Sequence, residues 1–194
     1  MIEQVETVIV GGGQAGLATS YCLSKLGREN VVLEQSAHAA NAWREDRWDS
    51  FTLVTPNWSV RLPGAEYQGS DPDGYMSRAD LVRYFEDYVE RSHLPVCYET
   101  KVNSIDYLDG GGYRVEAGGA AWKARNVVVA SGFFQSPRIP DYSRSIPADI
   151  LQIHSGAYRN PGALPDYGVL KKEKDQTGAK QMLPEDAPRT SGGL

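Results

Sequence analysis

Three glycines and one acid are the residues of this sequence best placed to do chemistry. Gly11, Gly13 and Gly16 stand in the order G-x-G-x-x-G, and Glu34 follows 18 positions after the last of them. The glycines lie between a β-branched run, Thr7-Val8-Ile9-Val10, and a stretch with apolar residues at helical spacing. A strand that turns into a helix through such glycines presents unpaired backbone N–H groups at the positive end of the helix dipole, where phosphate binds. Gly11 can make the tight turn, Gly13 lets a diphosphate approach the backbone, and Gly16 lets helix and strand come close. A carboxylate at Glu34 can accept hydrogen bonds from both ribose hydroxyls of an adenosine, and its charge opposes a 2′-phosphate. The predicted ligand is FAD or NAD rather than NADP.

The surrounding pattern supplies the elements that must position these groups. Residues 7–10 read as a buried strand. Ala15, Leu17, Ala18, Tyr21, Cys22, Leu23 and Leu26 mark a helix over 14–26, which Gly27 ends. Val31-Val32-Leu33 reads as a second buried strand, closing a βαβ unit with a parallel strand pair. Residues 37–77 are irregular, with Trp43, Trp48, Phe51 and Trp58 among Pro56, Pro63 and Pro72. They predict a long loop region with a short helix and strand fragments. A helix follows over 78–92, with Leu81, Tyr84, Phe85, Tyr88 and Val89 on one face, Ser77 as N-cap and Asp80 in the first turn. Strands at 96–98 and 100–106, the turn Gly110-Gly111-Gly112, and strands at 113–115 and 121–124 read as an inserted β-meander. NVVVA at 126–130 reads as a further strand, central and buried. The fold class is α/β, a Rossmann-like parallel sheet carrying that meander.

Composition narrows the classes. Formal net charge is −5, with 20 Lys+Arg against 25 Asp+Glu and no basic block in the body of the chain, so neither nucleic acid nor an anionic membrane surface is an expected partner. The acidic N-terminus has an apolar run of only four residues, unlike a signal peptide or a spanning helix. Cys22 and Cys97 are too few for a disulfide framework and fit a reducing, cytoplasmic setting. His38, His93 and His154 are dispersed without metal-ligand spacing, and no Ser/His/Asp or Cys/His set stands out.

Six stretches carry a more specific resemblance: VIVGGGQAGLATSYCLSKLG, VVLEQ, AWREDRWDSFTLVTPNWSVRLPG, YMSRADLVRYFEDYV, NVVVASGFFQSPRIP and IHSGAYRNPGALP. Together they resemble the N-terminal part of class B flavoprotein monooxygenases, of the flavin-containing and Baeyer–Villiger type, and their bacterial FAD-dependent relatives. His154-x-x-x-Tyr158-Arg159 is similar to the second half of that family's fingerprint, while Ala148 and Ile150 stand where its Phe and Gly would be. The resemblance implies FAD at the first glycine motif, with Gly11, Gly13, Gln14, Ala15 and Gly16 on the pyrophosphate. It implies Glu34 on the ribose with Gln35 beside it, and the Val102 backbone at the adenine. Ala130, next to Ser131, would close the site; Trp43 would pack near the flavin. The Asn57 amide would face flavin and nicotinamide as the catalytic side chain. The implied activity is oxidation of a small-molecule substrate by NAD(P)H and O₂ through the flavin.

The resemblance also sets an expectation of extent. Residues 1–168 would form the FAD-binding domain, incomplete in this chain. An NADPH domain would be absent: Gly168-Val169-Leu170 begins a strand that Lys171-Lys172-Glu173-Lys174-Asp175 ends, since charges of that density cannot occupy a central strand. Residues 169–194 are expected to be a disordered or foreign tail, and the whole a truncated N-terminal portion, inactive alone. Two other readings stay open. One is a non-catalytic FAD- or ADP-binding module that pairs with a partner chain, or with itself, through the exposed docking face. The other is an NAD-binding dehydrogenase domain.

Overall fold

The computed structural model describes residues 2–132 and 136–165. The expected tail at 169–194 lies outside them. The chain divides into two units, residues 1–158 and 159–194. In the second, the described residues contain one 3₁₀ turn, Pro161–Ala163.

The first unit is built on the predicted βαβ. Strand β1 (Ile2–Val10) leads through the glycines into helix α1 (Gln14–Lys25), and strand β2 (Asn30–Leu33) returns parallel to β1, from Thr7 opposite Asn30 to Val10 opposite Leu33. Gly27, at φ +67°, ends α1 in the left-handed region open to glycine. The helix is locked to the sheet by polar contact as well as by Leu17. Ser20 and Asn30 are both buried, and the Ser20 hydroxyl donates to Asn30 Oδ1 at 2.6 Å.

Strand β5 (Val96–Cys97) adds to β2, and the meander β6 (Val102–Tyr107), β7 (Tyr113–Ala117) and β8 (Ala120–Val129) adds to the far side of β1. The sheet order is β5-β2-β1-β8-β7-β6, with the first four strands parallel and the last two antiparallel. Here the sequence reading is corrected. The meander's return strand and the NVVVA strand are one continuous strand. Residues 120–124 pair with β7, and β1 pairs along its length with 121–129, which extends β1 back to Ile2. Nor is the apolar end buried: beyond Ala124 the described structure pairs it with β1 alone, and Val129 is 66% exposed.

The irregular region contains α2 (Asn41–Glu45), a hairpin of β3 (Arg61–Leu62) with β4 (Ala65–Glu66), and α3 (Arg78–Arg91). Ser77 caps α3 as predicted, its Oγ accepting from the Asp80 N–H at 3.2 Å. The core of this layer joins Leu17 of α1 to Phe51, Leu62, Leu81, Phe85 and Tyr88. A second core joins Val8 and Leu33 to Val115, Ala117, Trp122 and Ala124. Among the described residues, no helix is long and apolar enough to cross a membrane.

Tyrosine hydroxyls hold the hairpin down. Tyr84 accepts from the Leu62 N–H at 3.1 Å and donates to the Ala65 carbonyl at 2.6 Å; Tyr88 donates to the Pro63 carbonyl at 3.0 Å. Burial pushes both hydroxyls above the ordinary tyrosine range; neighbouring Tyr21, Cys22 and Tyr84 push Tyr88 further, whereas the Leu62 N–H pulls Tyr84 back. An unfolded tyrosine ionises near pH ~10. The native state keeps these protons at higher pH, so their contribution is intact below that value and is lost as pH rises through the native values. Denaturant unfolding should therefore show stability declining from about pH 10 upward. Tyr88→Phe should lose about 1–2 kcal/mol at neutral pH and decline less steeply in alkali.

Candidate functional site

The three motif glycines are glycines for different physical reasons. Gly11 has φ +109°, and a Cβ there would stand 2.6 Å from the Ala130 carbonyl oxygen. Its N–H donates to the Leu33 carbonyl at 2.9 Å, while the Ala130 N–H donates to the Val10 carbonyl at 2.8 Å, so the turn is stitched between the ends of β2 and β8. Gly16 is buried, and its Cβ would come 1.9 Å from the Gly11 carbonyl oxygen. That contact sets how closely α1 can approach the turn. Gly13 is unlike both. Its φ is −86°, which any residue adopts, and a Cβ would meet nothing within 4 Å.

Among the described residues nothing demands glycine at 13, and they leave the space beside it open. Gly13 is also the N-cap of α1, with no side-chain cap and no acid in the first turn. The first amides of a helix have no intrahelical partner and carry the positive end of its dipole. An opening beside them suits an anion.

That opening is a groove. Val10, Gly11 and Gly13 form one side, and Leu33, Glu34, Gln35 and Ser36 at the end of β2 form another. Ala40, Asn41, Ala42 and Asp46 contribute from α2, Thr100, Lys101 and Val102 from the start of β6, and Ala130 and Ser131 from the end of β8. Glu34 is 8% exposed. Its Oε2 accepts from the Gly12 N–H at 2.6 Å and its Oε1 from the Ser36 N–H at 2.8 Å. Each oxygen keeps a second lone pair. The acid lies in the groove wall as the sequence suggested, but already tied to the backbone on both oxygens.

Of the residues singled out in the sequence, Gly11, Gly13, Glu34, Gln35, Val102 and Ala130 line this groove. Gln14 and Ala15 are exposed at the start of α1, and Gly16 lies beneath them. Two other singled-out residues stand away from the groove. Trp43 does not line the groove: it packs in the core, its ring 5.7 Å from Phe51 with the Arg47 guanidinium 4.7 Å above it. Asn57 is 5% exposed and its amide is spent on the backbone, Oδ1 accepting from the Met76 N–H at 2.6 Å and Nδ2 donating to the Asp71 carbonyl at 2.9 Å. A side chain bound on both sides in this way closes its own loop rather than facing a groove. Sequence reasoning also missed Gly12, Ser36, Ala40, Asp46, Thr100 and Lys101. The middle glycine of the G-G-G run, Gly12, was the only visible signal among them.

Residues 8–167 match the sequence pattern of a family described as pyridine nucleotide-disulphide oxidoreductase. The chain belongs to that family. Among curated oxidoreductases of the same kind, the CzcO-like protein of Geobacillus kaustophilus is 34% identical over 176 residues, covering 91% of this chain and 50% of its own length. The indole-3-pyruvate monooxygenase YUCCA1 of Oryza sativa subsp. japonica is 31% identical over 155 residues, 79% of this chain and 38% of its own. A solved flavin-containing monooxygenase from Stenotrophomonas maltophilia superimposes with a TM-score of 0.73 at 32% identity, over 82% of this chain and 48% of that one. The match is to the N-terminal part of flavoprotein monooxygenases, and the chain spans about half the length of the curated relative and the solved structure it matches here.

The geometry separates the glycines by experiment. Gly16→Ala should cost about 3 kcal/mol or more, because backbone must move to admit the methyl group. Gly13→Ala should leave stability within about 1 kcal/mol of the parent. Urea denaturation of the two variants checks the contrast.

Proposed function

We propose that this chain binds FAD as the flavin-holding part of a monooxygenase-type oxidoreductase that draws electrons from NAD(P)H and acts on a small-molecule substrate. The observation that carries the reading is the open position at Gly13, beside an uncapped helix N-terminus and across the groove from a buried carboxylate. The lining suits an adenosine diphosphate. The amides of Gly13, Gln14 and Ala15 would take the diphosphate. The remaining lone pairs of Glu34, with Gln35 alongside, would take the ribose hydroxyls. The backbone at Val102 would meet the adenine, and Ala130 and Ser131 would close the groove at the end of β8.

Bound flavin supplies hydride acceptance and oxygen transfer; the protein contributes binding, orientation and exclusion of water. That division fits a groove in which Glu34 is the buried carboxylate among the described lining residues. Gly11 and Gly16 serve by geometry, placing the helix end against the groove. Asn57 and Trp43 serve one step further out, by fixing the 71–76 loop and the α2 segment. Support comes from family membership and from the likeness to the flavin-containing monooxygenase of S. maltophilia.

The test is the ligand itself. The purified chain, as isolated or after incubation with FAD and dialysis, should show the visible flavin bands and release FAD by mass spectrometry. Release of NAD, or no retained dinucleotide in either preparation, would overturn the proposal. Gly13→Val should fold, by circular dichroism, and lose the yellow colour, because its side chain fills the space assigned to the diphosphate.

A further inference from the structure

Gly12 is not one of the three glycines of the G-x-G-x-x-G pattern, yet the peptide groups on both sides of it are held. Its N–H donates to Glu34 Oε2 at 2.6 Å, and its carbonyl accepts from the Ala40 N–H at 2.9 Å. A Cβ at position 12 would stand 3.0 Å from Glu34 Oε2 and 3.1 Å from Glu34 Cβ, so glycine is what admits the acid at this range. Ala40 sits at φ 55°, ψ 31°, a left-handed conformation that non-glycine residues hold only when their surroundings impose it. Glu34 is itself anchored. Its backbone N–H donates to the Cys97 carbonyl at 2.9 Å, its carbonyl accepts from the Thr100 N–H at 2.8 Å, and its second carboxylate oxygen holds the Ser36 N–H.

We infer that Glu34 is a positioning residue for the phosphate turn, in addition to any contact it makes with a ribose. The carboxylate withdraws the Gly12 amide from the groove and fixes the plane of the Gly11–Gly12 peptide, while the Ala40 N–H holds the next peptide, Gly12–Gly13, through its carbonyl. The amides that follow, from Gly13 onward, are then left to face a diphosphate without a search through turn conformations. A dinucleotide therefore gains from Glu34 at two places: the sugar, and the shape of the loop beneath the phosphates. Glutamine cannot substitute, although it is nearly the same size. It offers one acceptor oxygen, and its NH₂ would oppose an N–H donor at either Gly12 or Ser36. This inference rests on the dinucleotide reading for its purpose, but the clamp exists in the ligand-free protein and is measured there.

The experiment is NMR on the full-length, isotopically labelled chain. In the parent protein, a long-range coupling should connect the Gly12 amide nitrogen to the Glu34 carboxyl carbon through the hydrogen bond. In Glu34→Gln, exchange of the Gly12 or the Ser36 amide should quicken by about tenfold or more, while Val8 in β1 keeps its protection. Inorganic pyrophosphate, which has no ribose, should then shift the amides of Gly13 to Ala15 in the parent and do so several-fold more weakly in the variant. Unchanged exchange at both amides would overturn the inference. So would a variant that loses affinity for ADP and keeps full affinity for pyrophosphate, since Glu34 would then act on the sugar alone. If the parent bound neither pyrophosphate nor ADP, the dinucleotide reading would fail by itself, and the Gly12–Glu34 coupling would still uphold the clamp by its presence or refute it by its absence. The same coupling decides the matter if the variant does not fold.

Discussion

One van der Waals limit organises the site: the distance between the Gly11 carbonyl and the backbone of Gly16. Any side chain at 16 would occupy the volume of that oxygen, so α1 can start this close to the end of β1 only where residue 16 is glycine. The consequences reach through the sheet. The turn is held short enough for the Gly11 N–H to reach β2 and for the Val10 carbonyl to receive the Ala130 amide from the end of β8. Three parallel strands and a helix thus converge on a few peptides, and the helix end is aimed into the groove between them.

Around that convergence the polar groups are used economically. Glu34 is almost buried, yet neither oxygen lacks a partner, because backbone amides from two directions meet it. A carboxylate in such a place would be costly without those bonds. With them it stiffens the turn and still has lone pairs to offer. Asn57 follows the same logic on a different loop, exchanging any exposed role for two backbone contacts. The tyrosines of α3 do likewise for the β3–β4 hairpin. An irregular region of some forty residues is held less by regular pairing than by a few side chains that satisfy its backbone.

The partial correspondence with relatives gives these local facts their functional weight. The family pattern extends over nearly all of the described chain, and the similarity to flavoprotein monooxygenases covers most of this protein but about half of theirs. The segment in hand is therefore the one that carries the glycine turn, the acid after β2 and the groove between them.

Much of this was legible in the residues themselves. The βαβ unit, the ends of α1, the Ser77 cap of α3 and the acid after β2 follow from periodicity, glycine placement and short-range hydrogen bonding, which act between residues close in the chain. What the residues did not show has a common cause, dependence on distant partners. No local signal could show that residues 120–129 run as one strand, because pairing with β1 keeps that strand going through Arg125. Nor could it show that the Asn57 amide is consumed by Asp71 and Met76, or that the Trp43 indole belongs to the Phe51 cluster. For Glu34, residue type and spacing determined that a carboxylate would stand at the groove. Only the folded chain decided that it would also grip Gly12 and Ser36, because a hydrogen bond depends on where two groups are brought in space, and that is set by the packing of α1, β2 and α2 around them.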